Sequence, residues 1–319
     1  MAAFVSLFLL VVGAVLLTVG AEAFAEHVSA AASRLGVSVL ALGVLLAGAE
    51  PEEAVTAMLA SGQGHPSLAA GDAIGANLVI LTLTLGLAAL LTGLPVSRRV
   101  MEYAGAAVVA GGLTVMFLWN GVMTRLEGAV LVLAYVAGVV WVWRRERQPP
   151  MIGELAELSD EEATEEGEPS RELLLVLLGV LGMVAGGFLA VRGAEGLTDL
   201  FGVTESVIGL TVLALATSAE MVALVWAAHR RGVPEVVVAG AVGAVAYNAT
   251  VSVGLGALVS PLAIGKGSPV LTIASVTAVL PLVLLAGLRT GRFPRLLGLV
   301  LLAVYLVAAG WLFGGQGTG

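Results

Sequence analysis

The sequence predicts an all-α integral membrane protein of ten transmembrane helices, two inverted five-helix repeats with discontinuous helices 2 and 7. Three observations predict this fold. Of 319 residues, 59% are apolar and 12% charged, with a mean hydropathy of +1.02, whereas a soluble domain carries about 25% charged residues. Apolar stretches alternate with clusters of arginine that fall mostly on one side. The two halves of the chain also share a spacing of glycines and acids. Ten spans of ~22 residues use about 220 positions, which leaves short loops and no sizeable soluble domain.

In order, the spans lie near 4–21, 35–60, 67–92, 100–118 and 127–143, then 172–192, 203–228, 234–258, 267–288 and 295–313. Each is expected to be helical, because backbone in lipid must satisfy its own hydrogen bonds and no alternating barrel pattern is present. The stretch from Phe4 to Gly20 has no basic residue before it and is long for a secretory leader; it reads as the first membrane helix. Arg34, Arg98, Arg99, Arg144, Arg145, Arg147, Arg171, Arg230, Arg231, Arg289, Arg292 and Arg295 fall on one side, and Arg125, Arg192 and Lys266 on the other. Positive charge accumulates on the cytoplasmic side, so both termini are expected outside a cell membrane, plasma or inner. The net charge of −8 is concentrated between Glu146 and Glu172. The expected organisation is a first five-helix repeat over 1–146, an acidic cytoplasmic linker over 147–171 and a second repeat over 172–319. The linker, with Pro149, Pro150, Gly153, Gly167 and Pro169, reads as a solvated spacer. The chain has no cysteine, which excludes disulfides, iron–sulfur clusters and thiol chemistry.

Gly20-Ala21-Glu22 is echoed by Gly193-Ala194-Glu195, and Gly36-Val37 and Gly43 by Gly202-Val203 and Gly209. At a constant lag of 168, Glu52, Gly64, Pro66, Gly75 and Gly86 match Glu220, Gly232, Pro234, Gly243 and Gly254. Five spans is an odd number, so the second copy enters the membrane from the opposite side. Inverted repeats of this kind place a binding site near the bilayer midplane.

Several acids fall at that depth: Glu50, Glu52 and Glu53 in span 2, Asp72 in span 3 and Glu220 in span 7. A carboxylate at bilayer depth costs about 2.5–3.5 kcal/mol and is expected to face a cavity, a cation or a proton path. Gly48 and Pro51 weaken the helix where the first acids occur, freeing carbonyl oxygens. Carboxylates and carbonyls together are hard ligands suited to Na⁺ and Ca²⁺. Glu50 and Glu53 share a helical face and Glu52 points elsewhere, so either Glu52 or Glu53 is the principal ligand; the match to Glu220 favours Glu52. Glu50 and Glu53 are then alternative or access-path groups. Thr217, Ser218, Asn77 and Asn248 are candidate neutral ligands, and Gly71 and Gly75 permit close helix approach. His27, His65 and His229 fall in expected loops without metal-ligand spacing and read as surface residues. Trp119, Trp141, Trp143, Trp226 and Trp311 sit near span ends, as interfacial anchors do.

These residues resemble the sodium/calcium exchanger family of the calcium/cation antiporter superfamily, as a divergent prokaryotic-type member, over nearly the whole chain. The specific stretches are Gly20-Ala21-Glu22 leading to Leu35-Gly36-Val37-Ser38, and Gly193-Ala194-Glu195 leading to Phe201-Gly202-Val203-Thr204-Glu205-Ser206. The family signature is Gly-Thr-Ser-x-Pro-Glu, followed by Gly-Asn-x-x-Gly-Ser-Asn with an Asn or Asp three residues on. Here Pro51-Glu52 and Thr217-Ser218 match it, whereas Ala47, Gly48 and Ala49 replace Gly-Thr-Ser, and Glu220 comes one position early without a proline. Matching without gaps puts Glu53 and Met221 at the glutamate positions instead. Asp72 stands where Asn is usual, Asn77 is kept, and Ala76 and Ile80 replace Ser and the later amide; in span 8 Asn248 keeps that later polar position while Ala244 and Val245 replace Ser-Asn.

The resemblance implies a secondary active antiporter, exchanging Ca²⁺ or a related cation for Na⁺ or H⁺ by alternating access. Glu52 and Glu220 would hold the cation or metal ion, completed by Asp72, Asn248, Thr217, Ser218 and Asn77. The altered first repeat leaves open a carrier of monovalent cations or protons only, and a cation channel is the reading from another class. No enzyme is expected, since there is no cysteine nucleophile, no HExxH and no histidine at depth. No cofactor is expected beyond the transported cations, and the partners are the lipid bilayer and small inorganic cations, with no nucleic acid. The sequence leaves the oligomeric state open, and a monomer is compatible with it.

Overall fold

The computed structural model describes residues 2–34, 50–146, 169–231 and 234–315. Among them, nine helices are long and apolar enough to cross a membrane: Ala2–Val28, Pro66–Leu91, Arg98–Leu118, Arg125–Arg145, Arg171–Phe201, Glu205–Arg231, Pro234–Val259, Pro269–Leu288 and Arg295–Gly314. These are spans 1 and 3 to 10. Of span 2, the described part is the helix Pro51–Gly62; Gly36, Gly43, Ala47, Gly48 and Ala49 lie outside the described residues, as does the linker from 147 to 168. Phe4, Phe8, Leu181, Leu306 and Val307 are exposed, the outward apolar surface expected of helices in lipid. Trp119, Trp141, Trp226 and Trp311 are likewise exposed, at or near helix ends.

Burial ranks the spans. Spans 3 and 8 are 78% and 83% buried, against 56% for span 7 and 17–44% for the others. The bundle is therefore built around spans 3 and 8, the two that carry Asp72, Asn77 and Asn248. Glycine makes the central contact possible: a Cβ built at Gly75 would lie 2.7 Å from the Leu210 Cα, and one at Gly209 would lie 2.7 Å from the Leu68 carbonyl oxygen. Span 3 thus touches span 7 backbone to backbone, the close approach that small residues permit in membranes. Spans 1 and 6 pair in the same way. A Cβ at Gly186 would lie 2.6 Å from the Leu17 amide nitrogen and 2.7 Å from the Gly13 carbonyl oxygen.

Short pairings tie the loops. Val122–Met123 pairs antiparallel with Leu262–Ala263, joining the connection of spans 4 and 5 to that of spans 8 and 9. Pro95 bridges Arg292, joining the connection of spans 3 and 4 to that of spans 9 and 10.

The structure differs from the sequence expectation in four places. Span 1 runs from Ala2 to Arg34 and span 6 from Pro169 to Phe201, 33 residues each, where ends at 21 and 192 were expected. At 1.5 Å per residue each is ~50 Å long, beyond a ~30 Å hydrocarbon core. Hydropathy marks where a helix leaves the apolar layer, not where it stops. Span 6 also begins inside the expected linker, so the positions 169–171 are helical. His27 lies within span 1, whereas His65 lies in a loop as expected, just before the helix Pro66–Leu78; each is about four-fifths covered and hydrogen-bonded at 2.7 Å, to Glu172 and Glu205 respectively. Only His229 is on the surface as expected, and it is helical. Finally, three π-helical segments, Val79–Thr84, Gly209–Leu213 and Asn248–Ser252, interrupt spans 3, 7 and 8, and a 3₁₀ segment with Pro281 interrupts span 9; π-bulges of this kind occur at functional sites.

Replacing Gly186 by Val forces side-chain atoms into the span 1 backbone and is expected to destabilise the protein by about 1–3 kcal/mol or more. Gly112→Ala, where a Cβ meets nothing within 4 Å, is expected to be neutral or to stabilise by about 0.5–1 kcal/mol. Thermal unfolding in detergent reads both.

Candidate cation-binding site

Two helices begin at the acids. Glu50, at φ −120° and ψ 76°, is not helical; Pro51 opens the next helix, and Glu52 and Glu53 occupy its first turn. Proline suits this position because its missing N–H would be unsatisfied there anyway. In span 7, Ser218 at φ −85° and ψ 13° separates Ala214–Thr217 from Ala219–Arg231. Glu220 lies in the first turn that follows. Span 7 is thus interrupted at Ser218 within its length, and the described helix of span 2 starts at Pro51. Free N–H groups and the positive end of the helix dipole favour carboxylates in a first turn.

The two starts meet. One carboxylate oxygen from each of Glu50, Glu52 and Glu220 lies within 4.8 Å of the others. Glu50 and Glu52 are 1% and 0% exposed, and Glu220 is half-buried. At that separation and an effective dielectric of about 20, each pair of charges repels by roughly 3–4 kcal/mol. A cation or protons would relieve that repulsion, and three carboxylates within reach of one point form a hard-oxygen cage suited to Ca²⁺ or Na⁺.

Glu53 belongs to a second, adjoining cluster. The Ser218 hydroxyl donates to Glu53 Oε1 at 3.1 Å, and the Thr217 hydroxyl donates to Asp72 Oδ1 at 3.2 Å. All four residues are at most 1% exposed. Glu53 and Asp72 are within hydrogen-bonding reach of one another. Glu53 Oε2 and Asp72 Oδ2 are buried with no hydrogen-bond donor among the described residues. The choice between Glu52 and Glu53 is therefore not exclusive: consecutive residues serve two neighbouring groups, because the non-helical Glu50 lets its side chain join Glu52.

The amides are placed differently. Asn77 Nδ2 donates to the Val245 carbonyl at 3.2 Å, linking spans 3 and 8. Asn248 Oδ1 accepts from the Ser252 hydroxyl at 3.1 Å. Both are buried, and neither hydrogen bond reaches the acids. Thr56 was not singled out from the sequence; it is fully buried, and its hydroxyl has no partner among the described residues. It follows Glu52 by four residues, so helical spacing alone places it on that face.

Residues 5–144 and 171–314 match the family described as sodium/calcium exchanger protein. The putative antiporter CaxA of Alkalimonas amylolytica is 27% identical over 308 residues, covering 92% of this chain and 94% of that protein. The inner membrane protein YrbG of Escherichia coli (strain K12) is 29% identical over 267 residues, 79% of each. Among solved structures, the sodium-calcium exchanger NCX_Mj soaked with 100 mM Na⁺ and 10 mM Sr²⁺ shares the fold, with a TM-score of 0.61 at 21% identity. That match covers 96% of this chain and 98% of the other.

Since the chain has no cysteine, proximity can be tested with introduced thiols. In the Glu52→Cys, Glu220→Cys double variant, a single equivalent of Hg²⁺ is expected to remove both thiols from reaction with a maleimide. One thiol remaining reactive after that equivalent would place the two positions apart.

Proposed function

Because this chain belongs to the sodium/calcium exchanger protein family, we propose that it is a secondary active cation antiporter, exchanging Ca²⁺ or a related cation for Na⁺ or H⁺ by alternating access. The observation that carries this reading is the convergence of Glu50 and Glu52 from one half of the chain with Glu220 from the other. In this proposal the chain forms ten spans in two inverted halves, and the acids sit where the halves meet. The recurrence at a lag of 168 supports that arrangement, and the uneven distribution of arginine supports a cell membrane with both termini outside and the linker in the cytoplasm.

Exchange follows from charge. Two carboxylates neutralise one divalent cation, or two monovalent cations or protons, so the two kinds of ion compete for the same oxygens. An empty cage of mutually repelling carboxylates resists the dehydrated, occluded state through which a carrier must pass. Reorientation is then favourable only when the cage is loaded, and this couples one flux to the other. Glu53, Asp72, Thr217 and Ser218 offer a second set of oxygens beside the first. This set can take the counter-ion while the cargo leaves. The naming of CaxA as a putative antiporter and of NCX_Mj as a sodium-calcium exchanger supports this reading.

The test is ⁴⁵Ca²⁺ uptake into proteoliposomes loaded with Na⁺ or with protons. An outward gradient of one of them is expected to drive uptake. Glu52→Gln and Glu220→Gln are each expected to lower uptake by about tenfold or more, the equivalent of about 1.4 kcal/mol per charged ligand lost. Uptake indifferent to both gradients, or unchanged in both variants, would refute the proposal.

A further inference from the structure

Away from the acid clusters, spans 4, 5 and 8 form a groove of about 290 Å³. Small residues shape it: Ala106, Ala110, Ala134, Gly138, Gly243 and Ala246 are in its walls. Val109 and Trp141, also in the walls, are 64% and 60% exposed, so in a bilayer the groove opens to lipid. Two charged residues line it, Glu102 of span 4 and Arg145 of span 5, and they meet at 3.3 Å. Arg145 also lies over the Trp141 ring, 5.4 Å from its centroid.

The groove has the length of one acyl chain in one leaflet. It runs from Glu102 to Leu113 along span 4 and from Arg145 back to Ala134 along span 5. Each stretch rises ~16 Å at 1.5 Å per residue, half of a ~30 Å hydrocarbon core. Lipid tails are as apolar as leucine, so the groove accepts any tail and prefers none. Selectivity has to come from the charged end.

That end matches a zwitterion. Arg145 meets Glu102 through Nη1, and a guanidinium has further N–H donors in a fork that suits phosphate. A carboxylate has two acceptor oxygens, so Glu102 can hold Arg145 and a second cation together. Both side chains are about half exposed; exposed pairs are weakly bound, which leaves each able to turn toward an incoming group. A phosphoethanolamine head brings a phosphate for Arg145 and an ammonium with three N–H donors for Glu102. A choline head has the same charges but no N–H to donate. A glycerol head has no cation and leaves Glu102 facing a phosphate.

We propose that this groove binds a phosphatidylethanolamine of the bilayer, its headgroup bridging Glu102 and Arg145 and one acyl chain lying along the groove. At Gly243 and Ala246 the chain rests against span 8, the most buried of the described spans, and so braces the centre of the bundle from outside. The site uses none of the acids of the cation site and does not depend on the antiporter reading.

Thermal unfolding of the full chain in detergent tests it, with phosphatidylethanolamine, phosphatidylcholine and phosphatidylglycerol added singly and carrying identical acyl chains. Phosphatidylethanolamine is expected to raise the unfolding temperature saturably, with a half-saturating concentration about threefold or more below that of either other lipid. Glu102→Gln removes the charge that meets the ammonium and is expected to erase the advantage over phosphatidylcholine. Gly138→Leu puts a side chain into the groove at a position where a Cβ meets nothing within 4 Å. It is expected to abolish the phosphatidylethanolamine shift while leaving the lipid-free unfolding temperature unchanged; if it does not fold, Glu102→Gln decides. Equal responses to the three lipids would overturn the proposal. So would a preference for phosphatidylglycerol, which would reduce the site to general attraction of anionic heads by arginine, or an advantage that survives either variant.

Discussion

Like charges held close together inside a membrane protein repel, and that repulsion organises this molecule. Glu50, Glu52 and Glu220 bring carboxylate oxygens within 4.8 Å of one another, and Glu53 and Asp72 form a second pair beside them. The arrangement is stable only where something positive offsets it. Helix starts supply part of the compensation, because both acid-bearing helices carry their acids in the first turn, at the positive end of the helix dipole. The hydroxyls of Thr217 and Ser218 supply more. The remaining demand for positive charge is what a cation or a proton would satisfy.

The rest of the fold makes that imbalance tolerable. Glycines let spans 3 and 7 approach backbone to backbone, which brings Asp72 to Thr217 without intervening side chains. Spans 3 and 8 are the most buried of the described spans, so the polar groups they carry are screened from lipid on every side. The outer spans are mostly exposed and present leucine, valine and phenylalanine outward. Spans 1 and 6 pack through bare backbone at Gly13 and Gly186 and extend beyond the apolar layer at their ends.

Much of this was legible in the sequence. Span positions follow from hydropathy, the acids stand out because charge is scarce at depth, and the helix start in span 2 was marked by Pro51. What escaped has physical reasons. A π-helical segment adds one residue to a turn with no change in composition, so those in spans 3, 7 and 8 leave no trace in hydropathy. The pairings of His27 with Glu172 and of His65 with Glu205 join residues about 140 positions apart, and single-sequence spacing cannot bring them together. Glu52 and Glu53 looked like rivals because a continuous helix sends them different ways; they serve adjoining clusters because the helix begins at Pro51 and leaves Glu50 outside it. Asn77 was singled out for the acids by its polarity, yet its bond goes to Val245, since an amide at a close helix contact finds a neighbouring carbonyl first.

The most direct test of the central claim is a map of bound-cation density, from crystals grown in Sr²⁺ and measured for its anomalous signal. A peak enclosed by the carboxylates of Glu50, Glu52 and Glu220 is the predicted result. A map in which those carboxylates stand apart in bulk water, with no ion between them, would contradict it.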